Sequence, residues 1–236
     1  MATVILVRHG RTTANAEGVL AGRLPGVRLD DVGTEQAQHV AERLAGVPLA
    51  ALATSPQERC RQTAKAIASG HPAAPRLVTD RGLSECDYGD WQGRPLKELA
   101  KERLWGTVQA QPSAVTFPGG ESMPAMQARV VAAVRARDAA AEAEHGPGAV
   151  WVAVTHGDLV KAVLADALGM HLDLFQRIHV DPGSVSVVRY TGSRPFVLAS
   201  NTYAGDLGWL APPKGRRRRR SDDAAVGGGA GPSRHP

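Results

Sequence analysis

Two short apolar runs, Val4 to Val7 and Ala149 to Val154, each run out at a histidine followed by glycine: Arg8-His9-Gly10 and Thr155-His156-Gly157. Runs of this length, rich in valine and bounded by turn residues, read as fully buried strands. Segments of helical periodicity lie between them, which predicts a three-layer α/β/α sandwich around a mostly parallel sheet. In open sheets of this kind ligands gather just beyond the carboxyl ends of the strands. Arg8, His9 and Asn15 are therefore placed to project from a rigid element into a crevice, and His156 occupies the matching position on the second strand.

The rest of the chain fills in that frame. Asp30 is placed to cap a helix running through Glu35 to Leu44, and Leu49 to Ala53 is a short apolar run. Ser55, Pro56 and Glu58 form a capping-box pattern for the next helix, with Arg59 in its first turn, the end whose free N–H groups favour an anion. Leu77-Val78 reads as another short strand. From Leu83 to Gly120, glycines and prolines break the pattern around one short helix near Leu96 to Val108, and a small lid insertion is expected over about residues 84–120. Ser122 to Glu144 reads as a long helix with Met126, Val130, Ala133 and Val134 on one face, followed by a helix through Leu159 to Leu168 and closing strands at Val185 to Tyr190 and Phe196 to Ala199. One domain over residues 1–211 and a disordered tail over residues 212–236 are predicted.

Composition matters chiefly for charge. The formal net charge of +5 resides in the tail, where residues 214–236 hold seven Lys/Arg against two Asp, while residues 1–213 hold 21 of each sign. The Arg216 to Arg220 run offers nucleic acid or an anionic membrane a contact, but no aromatic residue accompanies it and a solvated tail is the reading preferred. Two cysteines, Cys60 and Cys86, do not make a disulfide framework and are expected to be buried, inert thiols in a reducing compartment. With neither a signal-peptide pattern nor a span-length apolar run, a cytoplasmic protein without a membrane partner is expected.

Arg8 and Arg59 present planar forks suited to phosphoryl oxygens, His9 and His156 can serve as nucleophile or donor, and Glu85 supplies one carboxylate at the edge of the insertion. The ligand implied is a small phosphate ester. No acidic cluster suited to Mg²⁺ and no P-loop accompanies these residues, so no metal or cofactor is expected and the arginines must neutralise the phosphoryl charge.

Five blocks in order resemble the histidine phosphatase superfamily, in its phosphoglycerate-mutase-like branch. They are Arg8-His9-Gly10 with Asn15, Ser55-Pro56-x-x-Arg59-x-x-Gln62-Thr63-Ala64, Glu85-x-x-Tyr88-Gly89-x-Trp91-x-Gly93, Pro118-Gly119-Gly120-Glu121-Ser122, and Thr155-His156-Gly157. The resemblance implies that His9 is phosphorylated, that Glu85 acts as general acid and then base, and that Arg8, Arg59 and His156 hold the phosphoryl oxygens. Asn15, Gly22 and Gly157 join Arg8, Arg59 and His156 as substrate-binding residues. A phosphomonoesterase is the preferred reading, with a phosphoglycerate-mutase-type transferase or a non-catalytic phosphate-binding scaffold as alternatives, in a monomer or homodimer.

Against the mutase, the family pattern of an Arg-Arg pair in the insertion and a lysine eleven residues past the acid is missing: Leu96 holds that place, with Lys97 beside it and Arg103 isolated. Trp91, Leu96, Leu99, Leu104 and Trp105 suit either an apolar leaving group or a packed lid. Arg11 stands where the family often has Glu or Gln, and Lys161 where an arginine is common; Arg11 with Arg23 is expected to favour a multiply anionic substrate. Gly119 to Ser122 suits turn and cap chemistry as well as it suits a substrate contact.

Overall fold

A computed structural model describes residues 2–72, 75–146 and 148–203. The predicted tail, 212–236, lies outside the described residues. Six strands, β1 (Thr3–Arg8), β2 (Ala51–Thr54), β3 (Leu77–Thr79), β4 (Val150–Thr155), β5 (Val185–Tyr190) and β6 (Pro195–Thr202), form one sheet in the order β3-β2-β4-β1-β5-β6. The first four in that order are parallel; β5 runs antiparallel to β1, and β6 antiparallel to β5. The register pairs Arg8 with Thr155 and Thr54 with Val154. Three chains therefore leave the sheet at one level, and His9, Ser55 and His156 emerge side by side. The His9 amide donates to the Thr155 carbonyl at 3.0 Å and the Ser55 amide to the Val154 carbonyl at 2.9 Å.

Alternation along the strands divides the core. Ile5, Val7, Leu52, Val152 and Val154 pack on one face under Val40 and Leu44 of α2 (Asp31–Leu44) and Ile67 of α3 (Glu58–Gly70). Val4, Leu6, Ala53 and Ala153 pack on the other face under α6 (Met123–His145) and α7 (Gly157–Ala167). Both faces of β1 are covered, which is why its sequence is a continuous apolar run. In α6 the buried Met126, Val130, Val134, Asp138 and Ala141 follow the helical period, and Ser122 caps the first turn by accepting the Ala125 amide. The Asp30 cap on α2 also forms, through the Gly33 amide. None of the helices among the described residues is long and apolar enough to cross a membrane.

Three local readings change. A five-residue helix, α1 (Thr13–Glu17), follows the first histidine, closed by a reciprocal capping box between Thr12 and Asn15; it is too short for periodicity to show. The expected single helix in the insertion is two, α4 (Leu96–Leu99) and α5 (Arg103–Ala110), separated at Glu102, whose backbone is extended and whose carboxylate accepts Arg94 Nη2 at 2.6 Å. Helix α3 begins at Glu58 with Gln57 as an N-cap that makes no side-chain bond, so the Ser55 capping box does not form. The Ser55 hydroxyl is drawn to His156 instead.

The segment from Glu85 to Phe117 shares the core of the α6 and α7 face. Trp91 stacks on Trp105 at 6.2 Å and meets Phe117 edge-on at 5.3 Å, while Leu99, Val108 and Val115 are buried in the same cluster. Leu96, Leu104 and Trp105 pack against that cluster as well. The apolar residues that suited either a leaving group or packing thus serve packing, and this places Glu85 on a rigid support.

Candidate active site

His9 sits at the carboxyl end of β1 with almost no exposure. Its Nδ1 lies 2.7 Å from the Gly10 carbonyl, which can only accept, so Nδ1 carries the proton. The other nitrogen, Nε2, accepts from Arg59 Nε at 3.1 Å and presents a lone pair. Burial, then the Arg59 and Arg8 guanidiniums, push its pKa well below the usual histidine range. The ring is thereby held neutral in the tautomer whose free nitrogen faces a cationic pocket. The Gly10 amide donates to Thr63 Oγ1 at 3.2 Å, which ties this turn to α3.

Arg59, on the first turn of α3, links the site together. Its Nη2 donates to the Gly22 carbonyl at 2.8 Å and faces His156 Nδ1 at 3.1 Å. Nη1 is buried and meets no hydrogen-bond acceptor among the described residues. Leaving a guanidinium N–H unsatisfied in the interior is costly, and an anionic oxygen would satisfy it. Gly22 turns its carbonyl to Arg59 from the left-handed region, φ 52°, where a Cβ would lie 2.4 Å from Gln92 Oε1. Arg8, fully buried, donates Nη1 to the Val180 carbonyl at 2.7 Å.

His156 is the N-cap residue of α7, whose first residue is Gly157, so the amino end of a helix joins the strand ends. Its ring meets His9 edge-on at 5.2 Å. Burial and the Arg59 charge hold it well below the usual range, hence neutral. Glu85 Oε2 stands 3.5 Å from His156 Nδ1, and Oε1 accepts the Cys86 amide at 2.9 Å. Burial, with Asp158 as a second cause, raises the Glu85 pKa to about 7. A carboxylic acid that titrates near neutrality beside a cationic pocket can both give and take a proton.

Of the residues expected at the site, Arg8, His9, Arg59, Glu85 and His156 come together, with Gly22 and Gly157 supplying backbone. Asn15 spends its Oδ1 on the Thr12 amide and hydroxyl, so its first use is to cap α1. Arg11 and Arg23 do not form a free cationic mouth. Arg11 Nε pairs with Asp30 at 2.8 Å, and Arg23 pairs with Asp87 at 3.3 Å and Glu121 at 2.9 Å. Glu121 also takes Arg129 at 2.6 Å, while Arg129 Nη1 donates to the Ser84 carbonyl, so the glycine-turn block braces the Glu85 loop. Lys161 is buried, donating to Gln176 at 2.9 Å, 3.9 Å from Asp158.

Sequence reasoning gave Ser55 only a helix-capping role and gave Gln57, Asp158 and Arg129 none. Ser55 had a usable signal, since it follows β2 as the histidines follow β1 and β4. Cys60 is nearer the chemistry than expected, with Sγ 3.4 Å from His156 Nε2, but burial pushes its pKa up to about 12 and the thiol stays protonated. Among the described residues no group of three or more His, Cys, Asp or Glu is arranged to hold a metal ion.

Comparison with known proteins agrees with this geometry. Phosphoglycerate mutase-like protein 4 of Arabidopsis thaliana is 33% identical over 166 residues, 69% of either chain. The chain spans 50% of the length of mycobacterial relatives that it matches at 31% identity. Among solved structures, YhfR of Bacillus stearothermophilus superposes with a TM-score of 0.78 at 26% identity, over 86% of this chain and 98% of that one. Mycobacterial glucosyl-3-phosphoglycerate phosphatase Rv2419c, in complex with VO3, gives 0.75 at 25% identity, over 84% and 98%. The family model of the histidine phosphatase superfamily (branch 1) matches residues 4–202, and the chain belongs to that superfamily, as an enzyme of phosphatase or mutase type.

Proposed function

We propose that the protein is a metal-independent phosphomonoesterase that passes the phosphoryl group of a small metabolite through His9 to water. The observation that carries this reading is the His9 tautomer: Nδ1–H is fixed on Gly10, so Nε2 bears the lone pair. That lone pair accepts from Arg59 Nε at rest and is given up to phosphorus as the guanidinium turns to the phosphoryl oxygens. In the first step Nε2 bonds to phosphorus as the ester P–O bond breaks, and Glu85 gives its proton to the leaving oxygen. In the second, water bonds to phosphorus as the N–P bond breaks, and Glu85 takes the water proton. Arg8, Arg59, His156 and the Gly157 end of α7 hold the equatorial oxygens throughout, with Asn15 and the Gly22 turn at the rim.

Hydrolysis is favoured over mutase chemistry by the paired state of the surrounding arginines. A mutase holds a bisphosphorylated intermediate and needs a second cationic pocket. Arg11, Arg23, Arg94 and Arg129 are each engaged by a carboxylate. The same pairing favours a substrate whose phosphate is its single anionic group, with an uncharged leaving group. The glucosyl-3-phosphoglycerate of the solved relative's name belongs in the first substrate panel.

Incubation with an active ester followed by denaturation should trap a phosphoenzyme that is acid-labile and alkali-stable and absent from His9→Ala. Release of free phosphate without an isomeric ester would establish hydrolysis. Isomer formation without phosphate release would overturn it in favour of the mutase, and phosphate binding with no phosphoenzyme would leave only a scaffold.

A further inference from the structure

Resting on the phosphohistidine reading, we propose that Ser55 is a positioning residue for His156: its hydroxyl accepts the Nε2 proton and so turns the proton-free Nδ1 edge toward Arg59, Glu85 and the phosphoryl pocket. Ser55 is fully buried at the end of β2, and its Oγ lies 2.7 Å from His156 Nε2. Proton counting settles the direction of that bond. Arg59 Nη2 can only donate, so His156 Nδ1, 3.1 Å away, must be the acceptor. In a neutral ring the proton is then on Nε2, and it points at Ser55 Oγ. The Ser55 hydroxyl in turn donates to Gln57 Oε1, which also lies 3.2 Å from His156 Nε2 and 3.4 Å from the Glu85 amide nitrogen.

The orientation matters because ionised phosphoryl oxygens accept hydrogen bonds and do not donate them. Only the Nδ1 edge faces the pocket, beside Glu85 Oε2 at 3.5 Å. There a monoanionic ester passes its own acid proton from a phosphoryl oxygen to Nδ1. The resulting imidazolium donates that N–H back to the fully ionised phosphoryl group, while the Nε2 proton stays on Ser55. The opposite edge is enclosed by Ser55, Gln57 and the Cys60 thiol. Without the serine hydroxyl, the Nε2 proton is left with a longer contact to Gln57 and the ring loses the partner that distinguishes its two edges. Partners that orient metal-ligating histidines change activity by about 10–100-fold when removed, and an effect of the same order is expected for a serine that orients His156.

The test combines kinetics with ¹⁵N-detected histidine NMR on the full chain. In the resting wild type, His156 should show the proton on Nε2 and a bare Nδ1, a measurement that needs no substrate. Ser55→Ala should lower kcat by about 10–100-fold with a smaller change in KM and give a mixture of His156 tautomers, and Ser55→Thr should restore most of both. A wild-type ring protonated at Nδ1 overturns the proposal even if the alanine variant does not fold. So does Ser55→Ala turning over at the wild-type rate, or loss of activity in both variants with the tautomer unchanged. The phosphoenzyme trap reports separately on the phosphatase reading, so failure of one does not imply failure of the other.

Discussion

At the scale of single residues, the chemistry rests on proton placement. Arg59 orients two histidines and keeps one buried donor for the ligand. Losing one such preorganised donor typically raises a barrier by about 2.7–4 kcal/mol. Arg59→Ala should therefore lower kcat by about 10²–10³-fold in steady-state assays, and a loss of less than tenfold would deny Arg59 that role. The pH profile follows from two shifts of known sign. His9, depressed well below the usual range, stays deprotonated down to acid pH, whereas Glu85, raised to about 7, is protonated below that value and loses its proton above it. As Glu85 must be protonated in the first step, kcat/KM should fall as pH rises past about 7, and Glu85→Gln should abolish that limb. The variant should lose less on p-nitrophenyl phosphate, whose leaving group needs no acid, than on an alkyl ester. An alkaline limb that survives in Glu85→Gln would assign it to another group.

At the scale of elements, the site is a product of strand ends and of one close approach between turns. Gly10 and Gly33 pack backbone to backbone: a Cβ on Gly33 would lie 1.9 Å from the Arg11 carbonyl oxygen, and one on Gly10 2.2 Å from the Gly33 carbonyl oxygen. Helix α2 thus presses its first turn against the turn that carries His9. Forcing a methyl group into such a contact costs typically 1–3 kcal/mol. Gly33→Ala should lower the thermal midpoint by several degrees and reduce kcat, and an unchanged midpoint would show that the turn yields freely. The inner strands were legible as continuous apolar runs because both faces of the sheet are covered, and α2 and α6 because their burial follows the helical period. The start of α3 was not, because Ser55 has two partners available, the next turn's amides and the His156 ring, and only the folded sheet supplies the second. Glu102 misleads in the same way, since it suits a helix interior until Arg94 claims its carboxylate.

At the scale of the whole molecule, Arg11, Arg23, Arg94 and Arg129 around the phosphoryl pocket are each matched to an acid. With charge neutralisation supplied by arginine, rates should be unchanged after dialysis against EDTA, and a loss restored by Mg²⁺ would contradict the mechanism. Among esters matched in size, those with one phosphate should be hydrolysed faster than those with a second anionic group, as read by phosphate release. What the sequence determined by itself was the sheet and the identity of its reactive side chains. Apolar runs ending in Arg8-His9-Gly10 and Thr155-His156-Gly157 encode strand, turn and chemistry within a few consecutive residues. Which nitrogen of each histidine bears the proton, which arginines stay available to a ligand, and what Ser55 does were decided only by the tertiary structure. Those properties belong to pairs such as Ser55 with His156 or Arg23 with Glu121, whose meeting depends on strand register and core packing rather than on nearness in the chain.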